Sequence, residues 1–261
     1  MTLADAYSAT GGAWQAGPGR VYDRLAEHLV AACPGEVGGR RVLDVGAGTG
    51  AASRAAIAAG AAHVVASDLA GGMLVHDAGS RPPAVRGDAR FLPFPEATFG
   101  AVVAAFCLNH LVEPAEGLAE AARVLAPGGG MVASAYADDD THPVKASVEA
   151  ACAAAGWVPG GWYEDLRRDA MPGLATVARA GSAARSAGLH ESEVTHQQVP
   201  FPDLAPIDLV HWRLGMAQVA PFVAALRPQA REALLADALD RLGPSPPPLV
   251  RSMIVITARG A

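Results

Sequence analysis

Val42-Leu43-Asp44-Val45-Gly46-Ala47-Gly48-Thr49-Gly50 is the stretch that decides the fold of this chain. Val42, Leu43 and Val45 suit a strand covered on both faces, as in a parallel sheet. The strand ends in an acid and opens into a turn with three glycines. Such a turn lets the backbone approach a ligand that side chains would hold away. Residues 49–59 are alanine-rich and helix-prone, so the turn feeds a helix whose N-terminal amides face the same crevice. Strand, glycine turn and helix in this order make a nucleotide-type site.

The identity of the nucleotide turns on Asp44. Gly46-x-Gly48-x-x-Ala51 also fits a loose dinucleotide fingerprint. An acid at the strand tip would repel a pyrophosphate but suits a ligand that carries positive charge there. S-adenosylmethionine, with an ammonium and a sulfonium on its methionine half, is such a ligand. In this respect the sequence resembles the class I SAM-dependent methyltransferases, whose first motif reads Asp-x-Gly-x-Gly-x-Gly. The resemblance implies that Gly46, Ala47, Gly48 and Gly50 pack against the methionyl and ribose parts of the cofactor.

Composition narrows the remaining classes. A chain of 261 residues with 51% hydrophobic and 18% charged residues has the makings of a large packed core and little disorder. A net charge of −6 without a basic cluster gives no support to a nucleic-acid or membrane-surface partner. Cys33, Cys107 and Cys152 are odd in number and widely spaced, so neither a disulfide framework nor a zinc site is indicated. Residues 1–15 lack the pattern of a secretory signal, and no apolar run approaches the roughly 18 residues of a membrane span. A cytoplasmic protein is expected. Its oligomeric state stays open, with a homodimer among the options.

Along the chain, residues 22–32 have helical spacing and lead into a strand at 41–45. Further strands are expected at 63–67, 84–86, 100–106 and 131–136, with helices at 71–78 and 114–125 between them; Pro127-Gly128-Gly129-Gly130 is read as a stop before the fifth strand. Beyond residue 137 the rhythm changes. Helices are expected at 143–156, 174–187 and 231–242, with another along Leu209, Trp212, Met216, Val219, Val223 and Leu226 that is kinked or divided near Pro221. Residues 191–201 alternate weakly and are read as a strand candidate, and 249–258 alternate as a strand. Asp138-Asp139-Asp140 reads as a solvated turn rather than a metal site.

The expected architecture is α/β: a doubly wound, Rossmann-like sheet of about seven mostly parallel strands with an antiparallel last strand, plus a helical lid insertion. One domain spans 1–261. Within it, 1–40 form a helical cap, 41–136 the cofactor-binding core, 137–248 a helical lid and substrate region, and 249–258 the final strand.

More site residues follow from the motifs. Asp68 lies 20 positions after Gly48, the offset at which a carboxylate meets ribose hydroxyls. The resemblance places Leu69 or Met73 against one adenine face. Gly87-Asp88-Ala89 followed by Phe91-Leu92-Pro93-Phe94-Pro95 is similar to the menaquinone/ubiquinone C-methyltransferase-like type, which has an Asp-Ala step and a Leu-Pro-Phe loop here. By that resemblance Asp88 accepts from the adenine amino group and the Ala89 amide donates to a ring nitrogen. Phe106 and Cys107, beyond the central strand, would contact the methionine moiety. The family commonly has Asp where this chain has Gly100. Asn-Pro-Pro-Tyr, the signature of base amino methylation, is absent. Similar enzymes lay an aromatic N-terminal segment over the cofactor, which makes Tyr7, Trp14 and Tyr22 candidates for closing the site.

At the acceptor, a hydroxyl or carbon acid needs a base, and His110 is the best placed for that role. Trp14, His142 and Trp212 are the candidate substrate contacts, and the late tryptophans suggest an apolar or aromatic acceptor. The expected function is methyl transfer from S-adenosylmethionine to an O or C atom of a small metabolite, with specialised metabolism as a setting and no metal. A protein that binds the cofactor but catalyses another reaction, such as cyclisation, is the alternative; an NAD-dependent oxidoreductase is the third.

Overall fold

The alternation in the quoted stretch is realised as strand β1 (Arg41–Val45). Val42 packs into the core on one side of the sheet while Leu43 and Val45 pack on the other, so β1 is buried on both faces. The computed structural model describes residues 2–76, 79 and 81–260. In chain order the other strands are β2 (His63–Asp68), β3 (Ala84–Arg86), β4 (Phe99–Ala105), β5 (Leu125–Tyr136), β6 (Glu193–Phe201) and β7 (Leu249–Arg259). They form one seven-stranded sheet in the order β3-β2-β1-β4-β5-β7-β6. β1 pairs in parallel with both β2 and β4, and β7 runs antiparallel to both β5 and β6.

The helices are α1 (Leu3–Ser8), α2 (Gly11–Ala16), α3 (Gly19–Ala31), α4 (Ala51–Ala58), α5 (Gly71–Val75), α6 (Pro114–Val124), α7 (Pro143–Ala154), α8 (Gly161–Asp165), α9 (Val177–Ser186), α10 (Pro206–Leu214), α11 (Ala220–Ala225) and α12 (Pro228–Leu242). Leu25 and Leu29 of α3, Ala52 and Ala56 of α4, Val148 of α7, Trp212 of α10 and Leu234 of α12 cover one face of the sheet. Leu118 and Ala121 of α6 with Ala180 and Ala184 of α9 cover the other. The reversal of strand order falls between β1 and β4, where α/β sheets bind ligands beyond the strand ends.

Three expectations need correction. The fifth strand begins at Leu125, so Pro127-Gly128-Gly129-Gly130 lies inside it rather than before it. The pairing with β4 is irregular between Phe99 and Ala101, and a Cβ on Gly130 would stand 2.0 Å from the Pro34 carbonyl oxygen. Gly129 and Gly130 serve a close backbone approach, while Gly128 supplies a positive φ of 71°. The label of helical lid for 137–248 is too broad, because the strand candidate at 191–201 is realised within that span as the edge strand β6. The helix at 71–78 ends at Val75, and Asp77 and Ala78 lie outside the described residues. Around Pro221 the helix is divided as expected: α10 ends at Leu214, and Pro221 stands in the first turn of α11.

Candidate active site

The C-terminal ends of β1, β2, β4 and β5 open into a cavity of about 1190 Å³. That volume exceeds an ordinary single-ligand pocket and leaves room for a nucleoside and a second small molecule. Asp44, Gly46, Ala47, Gly48, Asp68, Leu69, Met73, Asp88, Ala89, Phe106, Cys107, His110, Trp14, Tyr22, His142 and Trp212 all line it. Gly50 is set back, in a left-handed conformation (φ 90°) at the start of α4.

The glycine turn is held by two neighbours, the Ser67 carbonyl and the Asp68 carboxylate. Gly46 and Gly48 have φ of 66° and 54°, a region that side chains rarely enter. The Gly46 and Ala47 amides both donate to the Ser67 carbonyl, at 2.8 and 3.0 Å. Asp68 ties the turn to the next helix: Oδ2 accepts from the Gly48 amide and Oδ1 from the Ala70 amide, each at 2.7 Å. Burial raises the Asp68 carboxyl above its ordinary value, against the pull of those two amides.

A Cβ on Gly46 would stand 2.2 Å from the Cys107 Cβ. Gly46→Ala is therefore expected to cost about 3 kcal/mol or more, from overpacking and a disallowed φ together. Thermal unfolding measures that loss; a melting temperature within a degree of the parent would contradict this packing.

Asp44 is 1% exposed. Its Oδ2 accepts from Ser53 Oγ at 2.6 Å, while Oδ1 is buried with no partner among the described residues. Desolvation raises its carboxyl to about 6. A buried carboxylate oxygen that lacks a donor invites a cation. Ser53 escaped the sequence reading; its one signal is a hydroxyl among alanines on the helix that follows the turn.

Asp88 is partly exposed and paired with Arg90, whose Nη2 lies 2.7 Å from Oδ2. The hydrogen bonds from Arg90 hold its carboxyl below the ordinary value. Leu69 is 42% exposed at the cavity wall, whereas Met73 is buried beneath Gly48. Phe106 carries a φ of 52°, unusual for a bulky residue, and stacks on Tyr136 with ring centroids 4.4 Å apart. The Cys107 thiol donates to the Val45 carbonyl, and burial pushes it well above the ordinary thiol range, which leaves it inert as a nucleophile.

The N-terminal helices close the cavity with aromatic rings. Tyr7 meets Trp14 at 5.6 Å, Trp14 meets Tyr22 at 4.8 Å, and Tyr22 meets Phe106 edge-on at 5.7 Å. His110 ends a short 3-10 turn, Leu108–His110, and its Nε2 lies 3.3 Å from the Tyr7 hydroxyl. Desolvation lowers the imidazole to about 4, so the ring is neutral at physiological pH.

One expectation fails in detail. Asp138 and Asp139 are exposed, but Asp140 is buried rather than solvated. Its carboxylate receives Arg251 through two bonds of 2.9 and 2.6 Å, Lys145 at 2.7 Å and the Ser252 amide at 3.0 Å. Burial opposes its ionisation, yet the two cations hold it below the ordinary value. His142 caps α7: Nδ1 accepts from the Val144 amide and Nε2 meets the Pro247 carbonyl. Both ring nitrogens are thereby committed to backbone, so the ring presents only its carbons to the cavity that it lines. Among the described residues no group of His, Cys, Asp and Glu could hold a metal ion, and no helix is long and apolar enough to cross a membrane.

Residues 43–133 match the family described as Methyltransferase domain. A demethylmenaquinone methyltransferase of Clavibacter sepedonicus is 48% identical over 37% of this chain and 41% of its own length. One from Mycolicibacterium gilvum is 36% identical over 70% of this chain and 71% of its own. The shared region thus spans from under half to about seven-tenths of these relatives. Among solved structures, a methyltransferase from Haloferax volcanii, in complex with the Trm112 methyltransferase activator, superposes with a TM-score of 0.58 at 20% identity over 100% of this chain and 99% of that one. At that identity the likeness is one of fold.

Proposed function

This chain belongs to the class I SAM-dependent methyltransferases of the menaquinone C-methyltransferase type, and from that premise we propose that it methylates an O or C atom of a small apolar or aromatic metabolite. The observation that carries the reading is the buried Asp44 carboxylate, one oxygen unpartnered, beneath a glycine turn latched by Asp68.

The residues present fit the cofactor. Asp44 would hold its cationic methionyl end, with Gly46, Ala47, Gly48 and Gly50 admitting the backbone close to it. Asp68 keeps lone pairs for ribose hydroxyls after accepting the two amides. Leu69 and Met73 would flank the adenine, with Asp88 and the Ala89 amide at its edge. Tyr22, Phe106 and Cys107 would border the methionyl group. When bound, the cofactor supplies an electrophilic methyl group on sulfur.

The protein's part is alignment, exclusion of water and proton removal. The Tyr7–Trp14–Tyr22 ring series closes the cavity against solvent. His110, neutral, would take the acceptor's proton at Nε2 by way of the Tyr7 hydroxyl, which passes its own proton to Nε2 and receives the acceptor's in exchange. Trp14 and Trp212 would pack against the acceptor. In this reading 1–40 act as the cap, 41–136 hold the cofactor and 137–248 shape the acceptor site.

Formation of S-adenosylhomocysteine from S-adenosylmethionine across a panel of naphthols and hydroquinones tests the proposal. Turnover with at least one aromatic acceptor is expected, and none with any would count against it. The cofactor site has its own pH signature. As pH falls through about 6, Asp44 takes up a proton and loses the charge that attracts the cation. S-adenosylmethionine affinity is expected to fall up to tenfold per pH unit below that point, and Asp44→Asn is expected to bind weakly with a flat profile. Calorimetry at pH 5 and 7.5 checks this; equal wild-type affinity at both would remove Asp44 from the site.

A further inference from the structure

We propose that Arg251 and Trp212 form a binding point for an anionic oxygen of an aromatic acceptor. The proposal rests on the methyltransferase reading above and narrows its substrate class. Arg251 and Trp212 are 2% and 1% exposed, and both line the cavity. The Arg251 guanidinium lies between two rings, 4.0 Å from the centroid of Tyr136 and 4.5 Å from that of Trp212. Its Nε and Nη2 are spent on Asp140, but Nη1 has no partner among the described residues. The Trp212 indole nitrogen, Nε1, is also buried without one.

Both atoms can only donate, and buried donors without acceptors are rare enough in folded proteins to need an explanation. The neighbouring charges are paired among themselves: Asp140 takes Arg251 and Lys145, and Glu149 takes Arg213. Asp140 also accepts from the Ser252 amide. An acceptor oxygen that bridged Nη1 and Nε1 would satisfy both donors and fix the orientation of its ring beside Tyr136. The guanidinium would bind a carboxylate, or another ionised oxygen away from the reacting atom, over its neutral form, which leaves the reacting atom's own proton to His110. Arg251 is then a specificity-determining residue that reads the acceptor's charge.

The test is calorimetric, on the full chain saturated with S-adenosylhomocysteine, with 1-naphthoate as the anionic probe and naphthalene as its apolar counterpart. Wild type is expected to bind 1-naphthoate at least tenfold more tightly than naphthalene. Trp212→Phe keeps an aromatic ring and removes the donor. It is expected to weaken 1-naphthoate about tenfold, the scale of one hydrogen bond to a charged group, while naphthalene and S-adenosylhomocysteine affinities stay within about twofold. Arg251→Lys, which keeps the charge but not the fork, is expected to weaken 1-naphthoate similarly. Unchanged 1-naphthoate affinity in folded Trp212→Phe, or no preference for 1-naphthoate in wild type, overturns the proposal. Failure of wild type to bind S-adenosylhomocysteine at all would instead defeat the underlying methyltransferase reading.

Discussion

Replacing Asp68 by alanine is expected to lower S-adenosylmethionine affinity by at least two orders of magnitude. Asp68 joins two backbone segments at once, with Gly48 on one oxygen and Ala70 on the other, each at 2.7 Å. Bonds of this kind to a charged group contribute roughly 1.5–3 kcal/mol each. Their loss frees the glycine turn from the start of α5, and the contact proposed for the ribose goes with them. Asp68→Asn is expected to fall between the parent and the alanine variant, because its amide oxygen can replace one acceptor while its NH2 faces an amide donor. Calorimetric titration measures both. An alanine variant that binds within about threefold of wild type would mean that Asp68 holds neither the turn nor the ligand.

The second large effect is expected at His110. Removal of a general base costs typically 10²–10⁴ in rate, and His110→Ala is expected to lose that much kcat with the best naphthol or hydroquinone while S-adenosylhomocysteine affinity changes little. Tyr7→Phe is expected to lose a similar amount, since the path to the imidazole runs through the Tyr7 hydroxyl. Burial holds His110 unprotonated down to about pH 4, so the acid limb of the wild-type rate near pH 6 would belong to Asp44 and survive in His110→Ala. Undiminished kcat in that variant would show that the acceptor arrives already deprotonated, and would withdraw the base role.

What could be read from the sequence, and what could not, divides along a physical line. Asp44, the glycine turn and Asp68 sit within one strand–turn–helix–strand unit, where spacing dictates geometry, so their positions around the cavity were legible in advance. The sheet followed from short apolar runs that alternate with helical ones. Asp140 and Arg251 were not legible, because the pair is made across 111 residues between strand ends that only the topology brings together. An arginine in an apolar final strand looks like an exposed position until its partner is known. His142 shows the converse: its place in the cavity wall was anticipated, but its commitment to two backbone groups depends on the Pro247 loop. The glycines at 128–130 misled because a glycine run reads as a helix stop, whereas Gly130 stands in a strand that must clear the Pro34 carbonyl.

Titration of the wild-type chain with S-adenosylhomocysteine and, separately, with NADH decides whether the cavity beneath the glycine turn is built for S-adenosylmethionine. The expected result is saturable one-to-one binding of S-adenosylhomocysteine, lost in Asp68→Ala, with no heat from NADH. Saturable NADH binding without S-adenosylhomocysteine binding would contradict it.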